Sequence, residues 1–90
     1  MSHTIRDKKQ LLLRVHRIRG QIDAVERQLQ EEEDCSTVLL TVSAARGAIN
    51  GLMAQIIEGH IRDHVASSDK AREKGQATQL LIDVVNRYLK

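Results

Sequence analysis

DCSTVLLTVSAARGAINGLMAQIIEGHIRDH, residues 34–64, is the stretch whose periodicity decides the fold. Its apolar side chains recur at Val38, Val42, Ala45, Ile49, Leu52 and Ile56, alternately four and three apart. That is the seam of a helix packed lengthwise against other helices. No proline interrupts it. Asp34 stands in front as an N-cap, with the hydroxyls of Ser36 and Thr37 behind it. The reading is one long helix with a thiol, Cys35, at its start and two imidazoles, His60 and His64, at its finish.

His60 and His64 are four apart, share a helical face and could clamp one metal ion. Cys35 lies 25 residues before His60, roughly 37 Å along a straight helix at about 1.5 Å per residue. Cys35 therefore cannot reach its own chain's histidines without a break in the helix, but it can reach those of a second chain. Two copies packed antiparallel would set the start of one long helix beside the finish of the other. Ser43, Gly47 and Gly51, small and four apart, mark a place for the backbones to approach. A glycine within a helix costs roughly 1 kcal/mol against alanine, so Gly47, Gly51 and Gly59 imply a return in packing or function.

Upstream, a first helix carries a similar seam at Leu11, Val15, Ile18, Ile22, Val25 and Leu29, with Leu12 and Leu13 widening the stripe. Thr4-x-x-Asp7 reads as a capping-box variant at its opening, and the acidic run Glu31–Asp34 as its end. Downstream, the pattern dissolves at Ser67-Ser68-Asp69-Lys70. A short third helix then follows Gly75, carrying Leu80, Leu81, Val84, Val85, Tyr88 and Leu89. The fold class is all-α: one domain over residues 1–90, three helices per chain, paired as an antiparallel four-helix-bundle dimer with the third helix outside.

Ninety residues without Phe or Trp leave too much apolar stripe for one copy to bury, which calls for an obligate oligomer. A single cysteine excludes an internal disulfide framework and suits a reducing, cytoplasmic setting. No apolar run reaches the roughly 18 residues of a bilayer span, and the polar N-terminus does not resemble a signal peptide. Arg6 to Arg19 holds six basic residues, including Lys8, Lys9, Arg14, Arg17 and Arg19, and one acid. That is a net +5 in a chain of net +2, so the rest is net −3. A basic first helix on an acidic body points to a polyanion partner. The scarcity of aromatics disfavours base stacking on single strands and leaves duplex DNA, where phosphate contacts dominate. No acid/base pair, phosphate loop or nucleophile–base pair suggests an enzyme.

Taken together, Arg14-x-x-Arg17-Ile18-x-Gly20-Gln21, Cys35, Arg46-Gly47-Ala48-x-Asn50-Gly51-Leu52-Met53 and His60-x-x-x-His64 resemble the CsoR/RcnR/FrmR family of small all-α bacterial repressors. The resemblance covers nearly the whole chain. It implies a dimer of the kind above assembling into a tetramer, operator DNA bound without effector and released with it, and no helix-turn-helix. It implies Arg14, Arg17 and Arg19, with Arg46, Lys8 and Lys9, as the DNA face.

Copper(I) sensors of the family place a second cysteine where His64 stands, and the formaldehyde branch a glutamate. The start Ser2-His3-Thr4-Ile5-Arg6-Asp7 and the set His3, Cys35, His60, His64 resemble the nickel/cobalt branch. That branch implies a further donor in the N-terminal amine, on Ser2 once Met1 is removed. A thiolate, imidazoles and an amine suit nickel(II) or cobalt(II). Zinc(II) would be content with Cys35, His60, His64 and one more ligand, and affinity order alone does not exclude it. The alternatives are a formaldehyde-sensing repressor, with Cys35 as nucleophile and the N-terminal amine closing a crosslink, and a helical scaffold that binds no DNA.

Overall fold

The computed structural model describes residues 3–66 and 69–88, and among these every regular element is helical. In order they are α1 (His3–Arg6), α2 (Lys8–Gln30), α3 (Cys35–His60), a π-helical continuation of α3 (Ile61–Ala66) and α4 (Ala71–Tyr88). The expectation of three helices is thus refined to three long helices and one short one. Thr4 lies within α1 instead of capping it, and Asp7 is the junction to α2, which its side chain does not cap. The last helix is longer than its apolar cluster suggested. It begins at Ala71, and Gly75 falls inside it, where open space surrounds the missing Cβ. Ser2, Ser67, Ser68 and Leu89 lie outside the described residues.

Two compact units are present, one formed by residues 7–54 and the other by residues up to Arg6 with those from Gln55 onward. In the first, α2 and the first part of α3 form an antiparallel hairpin. Near its closed end Gln28 Nε2 donates to Thr41 Oγ1 at 3.0 Å. Near the other, the Arg14 guanidinium lies over Gly51, and a Cβ there would stand 2.9 Å from Nη1. The turn is built on a helix end in which Glu32 N–H donates to Leu29 O (3.2 Å) and Glu33 N–H to Gln28 O (2.9 Å). This is the Schellman arrangement, and Glu32 takes the left-handed conformation it requires, at φ 56°. Asp34 then caps α3 as its sequence predicts, accepting from Thr37 N–H at 3.2 Å and from Thr37 Oγ1 at 2.7 Å.

In the second unit, α4 packs on the π-helical segment. α1 is tied to the same segment by Arg6, whose Nη1 donates to Asp63 Oδ1 at 3.2 Å and whose Nη2 lies 3.1 Å from Oδ2.

Few apolar side chains are covered. Among the described residues only Ala45 and Ala77 form a buried hydrophobic core. Seam residues Ile22, Leu29, Val42 and Ile49 stay 43–61% exposed, because a two-helix hairpin covers one flank of each stripe and leaves the other open. Its apolar content, spread over 35–66, also makes this helix long and apolar enough to cross a bilayer, although no single run is. The core helix of a soluble bundle has the same composition, and Arg46 midway along would cost about 2.5–3.5 kcal/mol at the centre of a membrane.

Candidate metal centre and nucleic-acid interface

Cys35 is the first residue of α3 and His60 its last. Cys35 is exposed in the first turn, not tucked away as a lone cysteine usually is. His60 ends the α-helical part and His64 sits one turn on, in the π-helical segment. Short π-helical turns recur at functional sites. The two rings come together with centroids 5.2 Å apart and planes tilted by 48°.

Both rings are held by α4. His60 Nε2 lies 2.9 Å from the Ala77 carbonyl oxygen, and His64 Nδ1 lies 3.2 Å from Glu73 Oε1. A carbonyl and an ionised carboxylate can only accept, so each of these nitrogens is the donor. A neutral ring donating from one nitrogen carries its lone pair on the other. In that state a metal would meet His60 through Nδ1 and His64 through Nε2, borderline donors that suit a first-row divalent ion. Among the described residues no three His, Cys, Asp or Glu side chains of one chain gather closely enough to hold a metal. Two adjacent, anchored imidazoles could supply part of a metal's donor set, the rest coming from residues outside this pair. Of His3 only the backbone is described, as the first residue of α1. Ser2 lies outside the described residues.

The sequence reading did not include Glu73, the Ala77 carbonyl or the Arg6–Asp63 pair. Starting the last helix beyond Gly75 left Glu73 in a loop. The signal available was the matching one-turn spacing of residues 60 and 64 on one helix and 73 and 77 on the next. His16 is exposed on α2, as expected for a surface histidine.

The six basic residues expected to face DNA, Lys8, Lys9, Arg14, Arg17, Arg19 and Arg46, are all exposed. All belong to the α2–α3 hairpin unit.

Residues 7–87 match the family described as metal-sensitive transcriptional repressors. The chain belongs to this family, the CsoR/RcnR/FrmR repressors. Over the full length of both chains it is 50% identical to an uncharacterised protein in the bioA 5′ region of Serratia marcescens. Over the same full coverage it is 42% identical to the transcriptional repressor RcnR of Salmonella typhimurium. A solved structure, a glutamate-to-histidine variant of the formaldehyde-responsive regulator FrmR from Salmonella enterica serovar Typhimurium, superposes with a TM-score of 0.84 at 38% identity. It covers 92% of this chain and 94% of that one. Repressors of this family act by binding DNA, not as enzymes.

Proposed function

We propose that the chain is a nickel(II)/cobalt(II)-responsive repressor that holds operator DNA in its metal-free form and releases it when the metal binds. The observation that carries this reading is the pair of adjacent imidazoles, His60 and His64, each held on α4 through its other ring nitrogen. Cys35 of a second chain, packed antiparallel, would complete a mixed nitrogen/sulfur set with them. His3 and the amine of Ser2 would join it for a metal that demands five or six ligands. Zinc(II), content with four, would leave the arm unrecruited. The functional unit is a homodimer that pairs into a homotetramer in the cytoplasm, where it silences a metal-efflux gene.

Arg14, Arg17 and Arg19, with Arg46, Lys8 and Lys9, meet the phosphates of the duplex, so binding depends strongly on salt. Arg14→Ala lowers affinity across sequences and reduces the salt slope by about one; an unchanged slope moves the DNA face elsewhere. Bridging Cys35 of one chain to the histidines of the next shifts α2 against the groove. A coupling of about 1–3 kcal/mol gives a 5–150-fold loss of DNA affinity.

The decisive experiment titrates the protein with cobalt(II) while recording absorption. The expected spectrum contains a thiolate-to-cobalt band with five- or six-coordinate ligand-field bands. Cys35→Ala removes that band and the metal-induced release while DNA binding persists; release by metal in this variant refutes the site. A formaldehyde-sensing reading is favoured by the likeness to the formaldehyde-responsive regulator together with the exposed Cys35 thiol. Challenging the protein–DNA complex with formaldehyde and with nickel in parallel separates the two.

A further inference from the structure

Building on the metal-sensor reading, we propose that Glu73 is a positioning residue for the effector site: its carboxylate fixes His64 as the Nδ1–H tautomer, so that Nε2 is the nitrogen offered to the metal. An isolated imidazole prefers its proton on Nε2, so an Nδ1–H tautomer at His64 needs a cause. Glu73 Oε1, 3.2 Å from His64 Nδ1, provides one. His60 is held in the opposite sense, with Nε2 directed at the Ala77 carbonyl oxygen at 2.9 Å. The two anchors lie one turn apart on α4 and face two imidazoles one turn apart on the preceding helix. Both rings and both anchors line a cleft of about 260 Å³.

The two anchors differ in charge, and that difference gives Glu73 a role beyond holding a ring. An ionised carboxylate behind an imidazole strengthens the donor nitrogen on the far side, and such outer partners typically contribute about 10–100-fold to metal affinity. His64 is thereby the stronger donor of the pair. A purely structural role for Glu73, as an acid in the first turn of α4 favoured by the helix dipole, would leave the histidine tautomers untouched.

The test uses the full-length, metal-free protein at a pH where histidines are neutral, and reads tautomers from long-range proton–nitrogen correlation spectra. Wild type is expected to show His64 protonated on Nδ1 and His60 on Nε2. Glu73→Ala should move the His64 proton to Nε2 without changing His60, and weaken cobalt(II) binding at least about tenfold. Glu73→Gln, which keeps an accepting oxygen, should preserve the tautomer and recover part of the affinity. It also serves as the informative variant if Glu73→Ala unfolds. A wild-type His64 protonated on Nε2, or an unchanged tautomer and affinity in Glu73→Ala, overturns the proposal. The thiolate-to-cobalt band of wild type is scored separately. Its absence refutes the metal-sensor reading, and the tautomer spectra alone then decide whether Glu73 positions His64.

Discussion

At Asp34 a single carboxylate does two jobs: it starts α3 and, through Thr37, it holds the first turn in which Cys35 sits. The hydroxyl of Thr37, then the Thr37 N–H, hold its pKa below the ordinary carboxylate value. Because the folded pKa lies below the unfolded one, the cap's contribution is fully present at neutral pH and is lost as pH falls through the depressed folded value. Acidification should therefore lower the protection factors of the Thr37 and Val38 amides, measured against their intrinsic exchange at each pH, in wild type. Asp34→Asn keeps a capping oxygen and should abolish that pH response. Asp34→Ala should fray the turn at every pH and, by loosening Cys35, weaken cobalt(II) binding. Equal exchange at Thr37 in wild type and Asp34→Ala would remove the cap from this account.

Between helices, the turn after α2 is made by a residue poorly suited to it. Glu32 adopts φ 56°, and a left-handed residue with a side chain costs roughly 1–2 kcal/mol relative to the right-handed form. Glycine is the usual occupant of that position. Glu32→Gly should raise stability by up to about 1 kcal/mol, less whatever the added freedom of the unfolded chain removes. Denaturant unfolding with an unchanged m-value checks it. This hairpin was readable in the sequence at both sides of the turn, because cap chemistry and charge are local. The acidic run ends α2 and Asp34 starts α3 where the residue types say they should.

The far end was not readable in the same way. The apolar seam runs out at Ile56, since Gly59 and Asp63 stand at its next two positions, and nothing in the residue types signals a switch to π-helical winding at Ile61. Gly75 suggests a boundary, yet it is tolerated inside α4 because nothing presses on it there. That misplacement hid Glu73, and with it the support of His64. The set Cys35, His60 and His64 rests on spacing alone, a thiol and a histidine pair at the two ends of one seam, and the two imidazoles do stand side by side. Their anchors depend on a contact between α4 and the π-helical segment; the matching one-turn spacing of 73 and 77 is compatible with that contact but does not by itself specify it.

For the whole molecule, the governing fact is how little apolar surface one chain covers. Leu39 and Leu40 are 62% and 72% exposed, and Val42 and Ile49, in the middle of the α3 seam, are each 43% exposed. Fully burying one such side chain is worth about 1.5–3 kcal/mol, a large fraction of the roughly 5–15 kcal/mol that holds a typical domain together. A chain that leaves this many uncovered is expected to draw stability from association, and in that case its unfolding midpoint rises with protein concentration. Light scattering on eluting wild-type protein should give a multiple of the 10.2 kDa chain mass. Ile49→Asp, which sets a carboxylate in the seam, should reduce that mass and helicity together at micromolar concentration. It should also remove the thiolate-to-cobalt band although Cys35, His60 and His64 are all intact, because the sulfur and the imidazoles then belong to separated chains. A folded, monomeric Ile49→Asp protein that still ligates cobalt through Cys35 would show that one chain builds the site alone, and the head-to-tail pairing would have to be abandoned.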